Sequence, residues 1–332
     1  MADRLITVFG GSGFIGRYLV RLLAAQGCRV RVAVRDTERA LFLKTAGDLG
    51  QIAFAPASVT DPAAVARAVD GADGVVNLVG ILFERGARTF QAVHADGARN
   101  VAMAAAAAGA THLVHMSAFG ADAHSPSAYA RSKAAGEAAV KQAFPRATIM
   151  RPSVVFGPED GFFNLFGRMA QISPVLPYFT DIVPHAEGGG GPRFQPVYVG
   201  DVAAAMAAAL AGDGHVGVTY ELVGPRVYDM RSVLEIVNRE TLRKRWIAGM
   251  PFVAAEIQAV LADLFAKVVP LWPPLITPDQ VKLLKLGNVG AGRKPGLAAF
   301  GIAPTTVEAI VPGYLKRFRP VQQNKRVRAA TR

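Results

Sequence analysis

The chain has one cysteine, Cys28, which excludes an intrachain disulfide and fits a reducing compartment. Cys28 lies in "GCRVRVAV", where a small apolar residue entering a strand is expected rather than a nucleophile. Histidine is scarce. The six present form no H-x-x-x-H pair, and His112 and His115 flank apolar strand residues, so no metal site is expected. No apolar run reaches the roughly 20 residues that cross a bilayer. Neither a signal peptide nor an Arg-rich presequence precedes the first expected strand, so a cytosolic position is expected. Acidic residues are also few, 25 against 37 Lys and Arg, which leaves a net charge of +12. Such an excess favours anionic partners. No recognition motif points to nucleic acid, and none is expected as a partner.

Short β-branched runs alternate with longer Ala-rich segments of helical period. Strands are expected at Leu5–Phe9, Arg29–Val34, Gln51–Ala55, Gly74–Val79, His112–Met116 and Thr148–Arg151. Helices are expected near Phe14–Gln26, Thr37–Thr45, Pro62–Val69, Thr89–Ala108 and Ser127–Phe144. Asp61 can cap the third of these, with Pro62 in its first turn. The alternation implies an α/β fold whose parallel sheet is covered on both faces. The expected organisation is a dinucleotide-binding domain over 1–227, with a loop insertion at about 157–194. A smaller, mostly helical domain follows over 228–318, then an extended basic tail over 319–332.

The first strand runs into "GGSGFIG", in which Gly10, Gly13 and Gly16 have the spacing of a dinucleotide loop. Gly10 allows the tight turn, Gly13 lets the backbone approach a pyrophosphate, and Gly16 lets helix and strand pack closely. The phosphates then meet unpaired N–H groups at a helix N-terminus. The second strand ends at Arg35, where a guanidinium accommodates a 2′-phosphate, so NADP(H) is expected over NAD(H). Asp36 follows, either capping the next helix or reaching the ribose.

"SAYARSKAAGE" places Tyr129 and Lys133 on one helix face, and Ser117 ends the preceding strand. A lysine ammonium beside a tyrosine is expected to lower the phenol pKa, so that the phenol exchanges a proton with a carbonyl or alcohol while hydride moves. With "RPSVVFGPEDGFFN" and "QPVYVGDVAAA", these motifs make the chain resemble the extended or atypical short-chain dehydrogenase/reductases. The resemblance implies a Rossmann-type doubly wound sheet. It gives Tyr129 the acid/base role, Lys133 the ribose contact and Ser117 the orientation of substrate. It also implies cofactor contacts from Ser12, Phe14 and Ile15 beside the three glycines, and from Ser58 and Val59 after the third strand. Leu78 and Val79 at the end of the fourth strand, and Pro152, Val154 and Val155 after the sixth, complete the implied set. Ser58 stands where many relatives carry an aspartate near the adenine.

"NLVGILFE", "SPSAYARSKAAGE" and "PLITPDQVKLL" narrow the resemblance to one branch, the nucleotide-binding accessory subunits of respiratory complex I. That branch implies other complex I subunits as partners and NADPH held without turnover. It also implies a peripheral position at the junction of the two arms, on the cytoplasmic face of a bacterial inner membrane. The alternative is a stand-alone NADP-dependent reductase, epimerase or dehydratase of the same superfamily.

Near the C-terminus, Arg243, Lys244, Arg245 and Trp246 precede an apolar stripe of Phe252, Val253, Ile257, Val260, Leu261, Leu264, Phe265 and Val268. The stripe is either a core helix or a helix lying on a membrane surface or a partner. From Gly313 the chain carries seven Lys or Arg and no acid. This end is either a solvated terminus or a contact for anionic lipid headgroups or an acidic subunit.

Overall fold

Six near-continuous apolar runs form the parallel strands β1 (Leu5–Phe9), β2 (Arg29–Val34), β3 (Ile52–Pro56), β4 (Gly74–Asn77), β5 (His112–Met116) and β6 (Thr148–Pro152). With Thr219–Leu222 they make a seven-stranded sheet in the order Thr219–Leu222, β6, β5, β4, β1, β2, β3, every pair parallel. Strands covered on both faces are apolar throughout, and β4 and β5 are buried at every position. The computed structural model describes residues 3–180, 191–254, 256–257, 277–290, 292 and 294–320.

The crossovers include helices α1 (Phe14–Ala25), α2 (Pro62–Val69), α3 (Gly97–Ala107) and α4 (Ala128–Ala143). Asp61 caps α2 by accepting from the Ala63 and Ala64 N–H groups at 3.0 and 3.1 Å, with Pro62 in the first turn. Ser127 caps α4 through the Ala130 N–H at 3.2 Å. Two expected helices take other forms. The segment after β2 is a 3-10 helix, Glu38–Ala46; its buried residues, Ala40 and Leu43, are three apart, the period of that tighter coil. The helix expected from Thr89 begins as a π-turn, Gln91–Asp96, before α3. Gly136 of α4 lies so close to the His94 carbonyl that no Cβ fits between them. A widened turn here matches the habit of π-bulges, which gather at functional sites.

The chain forms two compact units. The first joins Met1–Pro152, Val199–Leu222 and Ala291–Pro304; the second joins Ser153–Tyr198, Val223–Gly290 and Thr305–Arg332. In the first, the core under α2, α3 and α4 includes Phe9, Val65, Val75, Val101, Leu113 and Ile149. In the second, Phe156, Phe163, Tyr178, Leu234, Val311 and Leu315 belong to one core. Much of the stretch expected as a loop is ordered. It holds a helix, Phe163–Ile172, whose Phe163, Gly167 and Ala170 are buried at helical spacing, and a strand, Val175–Phe179. That strand pairs in parallel with Trp246–Met250, so Trp246 lies in a strand rather than at a helix start. Phe252 is buried, whereas Val253 and Ile257 are exposed. Val260, Leu261, Leu264, Phe265, Val268 and the tail from 321 lie outside the described residues.

Asp160, in "FGPEDGFFN", organises the second unit. Its carboxylate accepts from the Gly157 and Asn164 N–H groups at 3.1 Å each and from the Tyr314 hydroxyl at 2.5 Å. Burial raises its pKa more than these donors lower it. A carboxyl raised in the folded state loses stability as pH climbs through its titration, because the folded form holds the proton more tightly. Tyr314→Phe removes one donor from the ionised form. We expect it to cost about 1–3 kcal/mol near neutral pH, with a smaller loss near pH 4, measured by urea unfolding at both values.

Candidate dinucleotide site

β1 delivers the chain to Gly10, whose φ of +76° suits glycine. The Gly10 N–H donates to the Ala33 carbonyl on β2 at 3.0 Å, and Gly13 donates to the Gly10 carbonyl at 2.9 Å. A Cβ on Gly16 would stand 2.5 Å from the Gly10 oxygen, so α1 approaches the loop at a distance only glycine permits. Gly13 is the extended N-cap of α1, which has no side-chain cap and no acid in its first turn. Ser12, Phe14 and Ile15 line the same turn. N–H groups at this end face no carboxylate of their own helix, and the macrodipole favours an anion there.

Arg35 extends exposed from the end of β2. Asp36 accepts from the Arg39 N–H at 3.1 Å and pairs with the Arg39 guanidinium at 3.2 Å, so it serves the next turn. After β4, Leu78 and Val79 lie 3.4–3.5 Å from where a Gly10 Cβ would stand, and the Val79 N–H donates to Asn77 Oδ1 at 3.1 Å. After β3, Ser58 Oγ bonds Thr60 Oγ1 at 2.8 Å, and the Val59 carbonyl accepts from Asn100 at 2.9 Å. The ends of β1, β2 and β4 thus converge on Gly10. Pro152 ends β6, its carbonyl accepting from the Phe119 N–H at 2.9 Å. Val154 and Val155 belong to the second unit, where the Val154 carbonyl accepts from Val197 at 2.9 Å and Val155 pairs with Val197.

Tyr129 and Lys133 sit on α4 as expected, with the Lys133 Nζ 5.9 Å from the Tyr129 ring centroid. Lys133 also donates to the Met116 carbonyl at 3.3 Å. Burial pushes the Lys133 amine down to about 8, opposed by Glu137. Tyr129 departs from expectation. Burial pushes its phenol up to about 12, and the lysine does not bring it below its ordinary value. Desolvation of the phenolate outweighs a cation that is itself partly desolvated.

His94, which the sequence did not single out, is buried beside this pair. Its ring meets that of Tyr129 edge-on at 5.3 Å and stacks on Phe90 at 5.4 Å. The Ile81 N–H donates to His94 Nε2 at 3.0 Å, so the proton of the neutral ring is on Nδ1, facing Ser132 Oγ at 2.8 Å. Ser132 donates onward to the Tyr129 carbonyl at 2.7 Å. Burial, with Lys133 next, holds His94 down to about 3, so it stays neutral. His115 is buried too. Asn77 Oδ1 is engaged by Val79, which turns its amide nitrogen toward His115 Nδ1 at 3.4 Å. His115 Nε2 and Ser117 Oγ, two residues apart on the same side of β5, are buried without a hydrogen-bond partner among the described residues. No residue spacing links His94 to Tyr129; the contact arises only when the π-turn packs against α4.

These features fit a dinucleotide: a glycine cradle, an uncapped helix start, and unsatisfied polar atoms near a buried lysine. A bound nicotinamide would supply or accept hydride. The chain's own groups can hold its ribose through Tyr129 and Lys133, and a phenol that keeps its proton can donate it to a substrate oxygen.

Strand, glycine loop, helix start and the reversal of strand order between β1 and β4 together define an NAD(P)-binding protein of the doubly wound class. The chain belongs to the NAD dependent epimerase/dehydratase family, which residues 6–222 match. It is 30% identical over 313 residues to the mitochondrial NADH-ubiquinone oxidoreductase 40 kDa subunit of Neurospora crassa, covering 94% of this chain and 79% of that protein. It is 37% identical over 286 residues to the mitochondrial NADH dehydrogenase [ubiquinone] 1 alpha subcomplex subunit 9 of Arabidopsis thaliana, covering 84% and 69%. A ceramide reductase of Caulobacter vibrioides is 39% identical over 189 residues, 54% of this chain and 55% of that protein. Among solved structures, an NADPH-dependent quinone oxidoreductase of Escherichia coli complexed with NADPH superposes with a TM-score of 0.70 at 20% identity, covering 93% of this chain and 99% of that one. At that identity the likeness concerns the fold.

Glu137 holds α4 in place. It accepts two bonds from Arg151 of β6, each 2.7 Å, and both side chains are largely buried. Removing one partner of a buried pair typically costs about 3–5 kcal/mol. Glu137→Gln is expected to lower stability on that scale in urea unfolding. It also removes the charge that raises Lys133, so the lysine's pKa should fall further below about 8 in a nitrogen-detected NMR titration.

Proposed function

We propose that this protein is an accessory subunit of a respiratory NADH:quinone oxidoreductase and holds NADPH as a structural cofactor. The observation that carries this reading is the similarity to two complex I subunits along most of the chain, at 30% and 37% identity. The preference for NADPH rests on Arg35 at the end of β2, with Asp36 occupied by Arg39. Gly10, Gly13 and Gly16 hold the pyrophosphate, and Tyr129 and Lys133 hold the nicotinamide ribose. Ser12, Phe14, Ile15, Ser58, Val59, Leu78, Val79, Pro152, Val154 and Val155 serve as further contacts. The protein lies peripherally at the junction of the hydrophilic and membrane arms, on the cytoplasmic face of a bacterial inner membrane. No helix among the described residues is long and apolar enough to cross a membrane. The net charge of +12 favours contact with anionic headgroups there.

A second reading, a free-standing NADPH-dependent reductase, is supported by Ser117, Tyr129 and Lys133 all being present and by the partial likeness to a ceramide reductase. One experiment separates the two. A mild-detergent membrane extract is resolved under native conditions and the chain followed by mass spectrometry. Co-migration with the NADH:quinone oxidoreductase, with NADP(H) released on acid denaturation, is the expected result. A chain running free, with NADPH consumption lost in Tyr129→Phe, would establish the reductase instead. In the subunit, Tyr129→Phe removes one ribose contact and should lower bound nucleotide only a few-fold, with no NADPH consumption to lose. Lys133→Met should lower its occupancy several-fold, because a charge-assisted bond contributes about 1.5–3 kcal/mol.

A further inference from the structure

Three segments of the second unit meet at one corner of its surface. The helix Phe163–Ile172 packs on Phe318, since a Cβ on Gly167 would stand 2.5 Å from that ring. The turn that follows the helix Met230–Thr241 is bonded to both. Arg243 donates to the Phe318 carbonyl at 2.9 Å, and Arg245 to the Ala170 carbonyl at 2.7 Å. Asn238 closes this turn, its amide donating to the Arg245 carbonyl at 2.8 Å. Trp246, next in the chain, donates its N–H to the Pro174 carbonyl at 3.0 Å and lies opposite Val175.

Large apolar side chains protrude from these segments. Ile172 is 86% exposed, Trp246 81% and Leu242 42%. Strand period puts Trp246 and Val175 on the face turned away from Leu176 and Tyr178, which are buried. Leu242 has a left-handed φ of +53°, a position past a helix end that glycine or asparagine usually takes. Cations accompany them. Arg168, four residues before Ile172, is exposed, as are Lys244, Lys316 and Arg317. Arg243 and Arg245 rest on carbonyl oxygens rather than carboxylates. Glu240, the acid bonded into this corner, is already paired with Arg239 at 2.8 Å and Arg319 at 4.0 Å. Beyond Pro320 the sequence adds four further Lys or Arg and no acid.

We propose that this corner is a docking surface for an anionic lipid bilayer, with Ile172 and Trp246 entering the headgroup layer and the cations facing lipid phosphates. This deepens the peripheral reading above by naming the face that carries it. Basic groups alone are screened by salt, and a few protruding apolar side chains alone hold weakly; the two contributions add. An indole suits such a boundary, because it has an apolar body and an N–H for headgroup oxygens. A one-sided excess of cations fits a lipid surface better than a protein partner, since contact cores between proteins are depleted in lysine.

Flotation of the full chain with vesicles of phosphatidylcholine, alone or mixed with phosphatidylglycerol, tests this. Trp246 emission is followed in Trp272→Phe, since the chain has two tryptophans. Wild type should float with the anionic vesicles at low salt and not with the neutral ones, and Trp246 emission should shift to the blue. Lys244→Glu with Lys316→Glu, or Ile172→Ser with Trp246→Ser, should weaken partition roughly tenfold or more. The same charge change on the first unit, Lys44→Glu with Arg67→Glu, should leave it within about twofold. All six side chains are exposed, and urea midpoints near wild type check that each variant folds. Equal weakening by both charge pairs overturns the assignment, because net charge alone would then carry the attraction. Absence of binding, or binding without a shift in Trp246 emission, also overturns it. A chain that ignores vesicles but co-migrates with the NADH:quinone oxidoreductase, and loses that in Trp246→Ser, makes the corner a protein contact. The lipid assignment then falls while the subunit reading stands. A chain that floats as expected yet runs apart from the oxidoreductase supports the lipid surface and sinks the subunit reading.

Discussion

The structure turns on how closely α1 approaches the end of β1. At Gly16 a side chain would collide with the Gly10 and Gly11 backbone, so the helix can start where it does only with glycine there. That start points the first N–H groups of α1 across the strand ends and fixes Gly10 as a junction. β2 is tied to it by a hydrogen bond and β4 by packing. The chain that leaves either strand, toward Arg35 on one side and through Leu78 and Val79 on the other, starts from this one contact.

A second layer of order lies under α4. His94 accepts from Ile81, donates to Ser132 and meets the Tyr129 ring, so one buried imidazole links the segment after β4 to the first turns of α4. Its neutrality is essential to the arrangement. A protonated ring could not accept from Ile81, and burial beside Lys133 removes that possibility at physiological pH. The π-turn carries this residue, and Gly136 lets α4 close onto it. Fixed polar networks of this kind set the orientation of a tyrosine more firmly than packing alone.

The sheet was legible in the sequence because its strands are continuous apolar runs broken by turn residues. β1, β2 and β5 fall where the pattern puts them. The glycine loop and the Tyr129–Lys133 pair were legible for a related reason, since each is a local spacing with a local purpose. What stayed hidden was non-local. His94 lies 35 positions before Tyr129, and nothing in "AVHADGARN" marks its imidazole as a partner of that ring. The 3-10 segment over Glu38–Ala46 read as α-helix because a short stretch holds too few apolar residues to separate a three-residue period from 3.6. The stretch 157–194 read as a loop because its prolines and glycines drew attention from Phe163, Gly167 and Ala170, which space a real helix.

An intact Ser117, Tyr129 and Lys133 does not by itself require turnover. A phenol held up near 12 keeps its proton at neutral pH, so it is a poor base and can act only as a donor. A lysine near 8 remains a serviceable ligand for ribose hydroxyls whether or not it has fully lost its charge. In the proposed subunit, Tyr129 and Lys133 serve to retain a dinucleotide without turning it over. Retention has its own physical value: a ligand bound only by the folded state adds RT ln(1 + [L]/Kd), about 4 kcal/mol when it stands a thousandfold above its dissociation constant. For a domain of ordinary stability, roughly 5–15 kcal/mol, that is a large share. A subunit that keeps its nucleotide gains a stiffer unit from residues that an enzyme would use for chemistry. Selection for tight binding alone would be enough to preserve them.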